Sequence, residues 1–242
     1  MTIFTVIHPT MSNFPIIDVI IPAYNEEHSI GKVIGDIPKN LIRNIIVCNN
    51  NSSDNTAWIA RHAGAMIVDQ PEQGYGNACL KGIEFIRNQK SIVPPDIIVF
   101  IDGDYSDYPQ EMNTLIEPIR NGHDLVIGSR ILGGAPIGSL TIPQKFGNWL
   151  ATRLIKIFYG FHFTDLGPFR AIRWNKLLQL DMQDRNFGWT VEMQIKAVKN
   201  QFACIEVPVS YRKRIGVSKI SGTLKGSLSA GNKILWTIFK SL

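Results

Sequence analysis

The sequence predicts an α/β fold, a doubly wound and mostly parallel sheet with helices on both faces. Three observations carry that prediction. Four short apolar runs in the first hundred residues are each closed by a polar loop, with a stretch of helical length between one run and the next. Such alternation implies parallel strands joined by right-handed crossovers. The fourth run, Ile97-Ile98-Val99-Phe100-Ile101, is continuously apolar, as in a strand buried on both faces. It stops in Asp102-Gly103-Asp104, which sets two carboxylates at the carboxyl end of that strand, the edge where open α/β sheets take their ligands.

The first strand is expected over Ile16 to Ile21, followed by the loop Pro22-Ala23-Tyr24-Asn25-Glu26-Glu27 and a helix from about His28 to Ile37. The second spans Ile45 to Cys48 and runs into Asn49-Asn50-Asn51-Ser52-Ser53-Asp54-Asn55-Thr56, where Asp54 can cap a helix reaching His62. A short strand over Ala65 to Val68 leads to the glycine loop Gln73-Gly74-Tyr75-Gly76-Asn77 and a helix ending near Asn88. That loop lacks the third glycine of a dinucleotide fingerprint and follows the wrong strand for one; a P-loop is absent too. After the fourth strand, a helix begins near Pro109 and a fifth strand covers His123 to Gly128, ending at Arg130. Further on come a short strand after Asp165 to Arg170, a helix from about Thr190, and a strand over Glu206 to Val209.

At 242 residues and 27.1 kDa the chain can bury a full core as one domain. The net charge of +5 favours an anionic partner, and nucleotide diphosphates, phospholipid headgroups and nucleic acid all carry that charge. Nucleic acid ranks low, since zinc-ligand spacing, an aromatic nucleic-acid motif and a long basic tract are all missing. Cys48, Cys79 and Cys204 lie scattered through apolar segments, as small core residues do in a reducing cytosol. Met1 to Phe14 lacks a basic n-region and is expected to be a loose arm. No window approaches the roughly 18 apolar residues of a membrane span.

The two carboxylates pose the chemical question. Close acids repel each other unless a cation sits between them. Their spacing therefore suits a Mg²⁺ or Mn²⁺ ion that holds a diphosphate, and it equally suits a solvated Asp-Gly-Asp turn.

Further motifs bear on the choice. Val19-Ile20-Ile21-Pro22-Ala23-Tyr24-Asn25-Glu26-Glu27, Asn50-Asn51-Ser52-Ser53-Asp54-Asn55-Thr56, Gly74-Tyr75-Gly76 and Asp102-Gly103-Asp104 occur in the order found in family 2 glycosyltransferases of GT-A fold. Val126-Ile127-Gly128-Ser129-Arg130 and Thr164-Asp165-Leu166-Gly167-Pro168-Phe169-Arg170-Ala171 resemble the branch of dolichyl-phosphate mannose and glucose synthases. The resemblance runs from about Ile16 to Gly226. It implies one GT-A domain over 1–242, with a nucleotide-binding half (15–105), an acceptor half (106–215) and a basic loop with a C-terminal amphipathic helix (216–242).

The resemblance also assigns roles. Pro22, Tyr24 and Glu26 would line the base and ribose pocket, with Glu26 accepting from a ribose hydroxyl and Gly74 on the donor side. Asn49 and Asn50 stand where most relatives carry paired aspartates; an amide can read a uracil or guanine edge, and turn chemistry is the competing role. Asp102 and Asp104 would hold the metal that neutralises a departing diphosphate. Ser106 stands where relatives often place another polar ligand, and Asp107 is expected to be a solvated acid opening the next helix. Arg130 would grip a phosphate, or pair with a site carboxylate. Asp165 and Arg170 would close over donor and acceptor, or pair with each other. Glu192 would be the general base for a hydroxyl acceptor; for a phosphate acceptor it would orient the sugar or stabilise its loop. Arg212, Arg214 and Lys219 would fold over the pyrophosphate, or lie in a solvated basic loop.

The implied activity is inverting, metal-dependent transfer of a hexose from a UDP- or GDP-linked sugar to a polyprenyl phosphate, on the cytoplasmic side. The competing activities are transfer to a soluble hydroxyl, sugar nucleotidyl transfer, and nucleotide binding without catalysis. Lys145 to Tyr159 and Leu224 to Leu242 each carry an apolar stripe flanked by cations. Such helices lie in a lipid interface or pack on their own core, so any membrane contact is expected to be peripheral.

Overall fold

The apolar runs become the strands of one sheet. The computed structural model describes residues 14–216 and 224–242, and the expected N-terminal arm lies outside them apart from Phe14. Its strands are β1 (Ile17–Ala23), β2 (Asn44–Asn49), β3 (Met66–Asp69), β4 (Ile97–Phe100), β5 (Leu125–Ser129), β6 (Arg170–Arg173) and β7 (Cys204–Pro208). They lie in the order β3-β2-β1-β4-β6-β5-β7. β1 sits between β2 and β4 and runs parallel to both, with Ile20 opposite Ile46 on one side and Phe100 on the other.

β6 is the exception in direction. It lies antiparallel between β4 and β5, with Ala171 opposite both Val99 and Val126. The reversal leaves β5 parallel to β4, and β7 is parallel to β5. The carboxyl ends of β1, β2, β4 and β5 therefore open on one edge, with the start of β6 among them.

The helices are α1 (Ile30–Asp36), α2 (Thr56–His62), α3 (Tyr75–Asn88), α4 (Met112–Arg120), α5 (Ile142–Tyr159), α6 (Trp174–Leu180), α7 (Trp189–Lys199) and α8 (Leu224–Lys240). Successive strand side chains point to opposite faces, which explains why the central strands β1 and β4 are mostly apolar. Ile20, Ile46, Ile98 and Phe100 pack with Cys79, Ile155, Trp189 and Ile238 on one face. Val19, Val47 and Val99 pack with Val33, Ala60 and Leu115 on the other.

Several boundaries move for local reasons. α1 begins at Ile30 because Ser29 and Ile30 first turn back onto the Glu26 carbonyl. A short 3-10 turn, Pro109–Glu111, precedes α4. α5 starts before Lys145, since Thr141 and Gln144 form a reciprocal capping box with a proline in the first turn. Asp54 accepts from the Thr56 amide at 2.9 Å, one residue ahead of the geometric cap position.

Candidate active site

Two loops form the nucleotide side of the ligand edge, and their polar residues stitch them together. The Asn25 amide donates to Ser52 Oγ (3.0 Å), the Glu26 amide to Thr56 Oγ1 (2.7 Å) and the Glu27 amide to Asp54 Oδ2 (3.2 Å). In return Asn25 Oδ1 accepts from the Ser53 amide (2.8 Å) and Glu27 Oε2 from the Asn55 amide (3.1 Å). Much of both motifs thus serves to satisfy backbone groups that the loops leave without secondary-structure partners.

The asparagines are committed to the fold. Asn50 donates to the carbonyls of Gln70 (3.3 Å) and Glu72 (2.7 Å), and its Oδ1 accepts from the Gly74 amide (2.8 Å). Its amide thereby clasps the glycine loop. Asn49 donates to Asp69 Oδ1 (2.8 Å) and accepts from the Ser52 amide, off the cavity.

Asp102 and Asp104 follow β4 directly and line a cavity of about 300 Å³. Pro22, Tyr24, Glu26, Asn50 and Gly74 line it as well. Asp102 Oδ1 accepts from the Tyr75 hydroxyl at 3.0 Å. Asp104 is buried; its Oδ1 accepts from the amide and hydroxyl of Ser106, at 2.9 and 2.6 Å, and its Oδ2 lies 2.7 Å from Arg214 Nη2. Burial, and then the like charge of Asp104, pushes the Asp102 carboxyl up to about 7; Arg214 and the Tyr75 hydroxyl oppose this without cancelling it.

A strap after β7 covers the acids. The Arg212 amide donates to the Ser106 carbonyl (2.9 Å), the Ile215 amide to the Asp104 carbonyl (3.0 Å), and Tyr211 bridges to Asp107. This contact corrects the expectation for Asp107. It is not a solvated helix-opening acid but is fully buried, and neither carboxylate oxygen meets a hydrogen-bond partner among the described residues. Burial first, then Asp102 and Asp104, pushes its carboxyl well up.

The cations divide sharply. Of the two that lie among the described residues and were expected over the pyrophosphate, Arg214 lines the cavity and Arg212 does not. Arg212 instead stacks between the rings of Tyr105 and Tyr108, 3.4 and 4.1 Å from their centroids, and donates to the Tyr105 carbonyl (2.7 Å). Lys219 lies outside the described residues. Arg130 forms a bidentate pair with buried Asp165, Nε to Oδ2 at 2.8 Å and Nη2 to Oδ1 at 2.6 Å, and its amide donates to the same carboxylate. Arg170 is not part of the cavity lining, and its hydrogen bonds go to backbone carbonyls rather than to Asp165. It is fully buried and donates to the carbonyls of Leu166, Gly167 and Thr190; burial lowers its pKa to about 10. Its role is to satisfy the backbone of a turn that enters the reversed strand β6.

Glu192 departs from the general-base expectation in its contacts. It lies outside the cavity lining, accepts from the amides of Gln183 (2.9 Å) and Asp184 (2.7 Å), and pairs with Lys196 at 2.8 Å. It therefore holds the turn 181–188, whose Asn186 and Phe187 form a wall of the cavity. The sequence assigns no site role to those two residues, nor to Tyr75 and Ala78. Tyr75 had a signal, standing between two glycines, whereas Asn186 and Phe187 belong to no motif.

The chain resembles known proteins in sequence and in fold. Residues 18–180 match the model of Glycosyl transferase family 2. The chain is 32% identical over 233 residues to a dolichyl-phosphate hexose transferase of Haloferax volcanii, covering 93% of this chain and 95% of that one. It is 27% identical over 222 residues to an undecaprenyl-phosphate mannosyltransferase of Micrococcus luteus, covering 86% and 88%. In fold it resembles glucosyl-3-phosphoglycerate synthase of Mycobacterium tuberculosis, solved with Mn²⁺, UDP and glucosyl-3-phosphoglycerate, with a TM-score of 0.75, 20% identity and coverage of 94% and 80%. The sheet is thus that of a GT-A enzyme, and the chain belongs to the family 2 glycosyltransferases.

Proposed function

We propose that this glycosyltransferase moves a hexose from a UDP- or GDP-linked sugar to a polyprenyl phosphate, with inversion at the anomeric carbon. The observation that carries the reading is the pair Asp102 and Asp104, set beside Arg214 in one cavity with the loops after β1 and β2. The base and ribose fit against Pro22, Tyr24 and Glu26, and the diphosphate then reaches the acids and the guanidinium. The site suits Mg²⁺ or Mn²⁺, because Asp102 and Asp104 form a self-repelling pair, and burial first, then the charge of Asp104, lifts the Asp102 carboxyl to about 7. Such an ion, held by one or two carboxylates and the substrate phosphates, neutralises charge on the leaving diphosphate.

The acceptor assignment rests on two further observations. Glu192 is engaged by two amides and Lys196, which suits an acceptor that needs no base. A phosphate oxygen is already an anionic nucleophile at neutral pH. The second observation is a surface suited to lipid. α5 and α8 pack together, with the Tyr159 hydroxyl donating to the Ile238 carbonyl at 2.6 Å. Their outer side exposes Ile142, Phe146, Trp149, Ile157, Trp236 and Phe239. Residues 131–164 and 207–242 hold ten of the 25 Lys and Arg and none of the 20 Asp and Glu, so the positive charge of the protein lies in these two segments. An apolar face on segments rich in cations fits an anionic membrane surface. Among the described residues no helix is long and apolar enough to cross a membrane, and the contact proposed here is a peripheral one.

The test is a nucleotide panel followed by an acceptor panel. UDP or GDP should raise the melting temperature only when Mn²⁺ is present, because ligands that bind the native state stabilise it. The matching sugar nucleotide should then label undecaprenyl phosphate. No metal-dependent shift with either nucleotide sinks the donor assignment, and transfer to soluble hydroxyls alone sinks the acceptor.

A further inference from the structure

The turn 181–188 is held from three sides. α7 holds it through Glu192, as above. At the start of α3 the Asn77 amide donates to the Arg185 carbonyl (2.9 Å), and a side chain on Gly76 would stand 2.0 Å from the Asp184 carbonyl oxygen. From the third side comes α8. Lys233 Nζ lies 2.9 Å from Asp184 Oδ2, and a Cβ on Gly188 would stand 2.2 Å from Thr237 Oγ1. The other Asp184 oxygen accepts from the amides of Asn186 (2.8 Å) and Gly188 (3.2 Å). One carboxylate thus grips the cavity wall with one oxygen and α8 with the other. Trp236 and Phe239, on the adjoining side of α8, face outward.

We propose that Lys233 is a positioning residue for the nucleotide-sugar donor, and that through Asp184 it couples donor affinity to the seating of α8 on an anionic lipid surface. The proposal rests on the donor and lipid assignments made above. Asn186 and Phe187 can line the cavity only while the Asp184 turn keeps its shape, and α8 supplies the cation that pairs with the Asp184 carboxylate. Seating the exposed aromatics on lipid favours the docked position of α8, and with it the formed wall. A ligand shifts such an equilibrium only by its differential affinity for the two states. Coupling is also reciprocal, so nucleotide must tighten lipid binding by the factor that lipid tightens nucleotide binding.

The experiment measures UDP and GDP affinity, with Mn²⁺, for the full chain with and without vesicles containing anionic phospholipid. Wild-type protein should bind its nucleotide about five- to tenfold more tightly with vesicles, in the range usual for coupled sites, and saturating nucleotide should tighten co-sedimentation equally. Lys233→Gln should weaken lipid-free nucleotide binding about tenfold, raise KM for the donor with little change in kcat, and lose the vesicle response. Lys233→Arg should restore both. Asp184→Asn, which keeps the acceptor for Asn186 and removes the charge, should behave as Lys233→Gln does and covers the case that one variant fails to fold. Unchanged nucleotide affinity in Lys233→Gln, or a vesicle response equal to wild type, overturns the coupling alone. Wild-type protein that binds neither nucleotide overturns the functional assignment and the coupling with it.

Discussion

Arg214 Nη2 lies 2.7 Å from Asp104 Oδ2, so the acid best placed to meet a divalent cation already faces one of the protein's own. The strap that brings Arg214 there is fixed by backbone bonds from Arg212 and Ile215 to the Asp104–Ser106 segment. A metal ion entering at Asp104 must share that carboxylate with the guanidinium or displace it toward the diphosphate.

Arg214→Gln should therefore act in two directions. Without nucleotide, Mn²⁺ should bind more tightly, because its competitor for Asp104 is gone. With nucleotide sugar present, kcat/KM should fall about 100- to 1000-fold, the loss expected when one group that stabilises a developing anion is removed. Calorimetric Mn²⁺ titration and steady-state kinetics on the same preparation check both halves. Weaker metal binding in the variant would show that Arg214 assists the ion rather than competing with it.

Asp102 predicts the pH dependence. Its carboxyl is raised to about 7 in the folded protein, above its ordinary 3.8, so folding favours the protonated form. The stability of the metal-free protein should thus fall as pH rises from about 4 to 7, and metal affinity should rise over the approach to 7 as the carboxylate becomes available. Asp102→Asn should stabilise the metal-free protein at pH 8 by on the order of 1 to 3 kcal/mol. It should also remove metal-dependent nucleotide binding. Denaturant melts at pH 5 and 8 distinguish this from a simple loss of packing, which would destabilise at both.

What the sequence makes legible here follows from burial. The runs in β1, β2 and β4 are largely apolar and buried, so each is legible in the sequence, and Asp102 and Asp104 stand out because they close the last of them. β6 is only Arg170 to Arg173, with a charge at each end, and nothing in four residues tells that it runs against its neighbours. Asp107 looks like a helix-opening acid until Tyr211, far along the chain, closes over it. Arg170 looks like a ligand contact because it follows Gly167-Pro168, whereas three nearby carbonyls consume its donors. The wall residues Asn186 and Phe187 have no periodicity or spacing to announce them, since contacts from α3, α7 and α8 create their role.

Gly76→Ala tests that wall from the α3 side. The added methyl would meet the Asp184 carbonyl oxygen at 2.0 Å and Asn186 N at 2.8 Å, so the turn must move. Overpacking of this kind costs about 1 to 3 kcal/mol. Nucleotide affinity should drop further than stability alone explains, because Asn186 and Phe187 shift with the turn. Gly35→Ala, where a Cβ meets nothing within 4 Å, should leave nucleotide binding unaltered.

The Arg130–Asp165 pair should be structural before it is anything else. Asp165 is fully buried and accepts the amide, Nε and Nη2 of Arg130. Asp165→Asn leaves a buried guanidinium without its counter-charge and should cost about 3 to 5 kcal/mol. Arg130→Lys should also destabilise, since one ammonium cannot reproduce the two-point geometry. Thermal melts measure both. A stable Arg130→Lys protein that lost turnover would reassign Arg130 to the substrate phosphate.

Trp149 and Trp236 make the proposed lipid contact observable. They are 58% and 61% exposed, one on each of the paired helices α5 and α8. Their emission should shift to the blue on adding anionic vesicles as the rings leave water. The shift should weaken in high salt, because cation attraction to a charged leaflet is screened over about 10 Å at 0.1 M ionic strength. Trp149→Ser combined with Phe239→Ser removes apolar area from both helices without touching the cavity. Vesicle co-sedimentation should fall at least about tenfold, consistent with roughly 1.5 to 3 kcal/mol for each large apolar side chain that would be buried. Nucleotide affinity in lipid-free buffer should stay at the wild-type value. Undiminished co-sedimentation would move the acceptor's point of entry away from this face and leave its exposed aromatics to another partner.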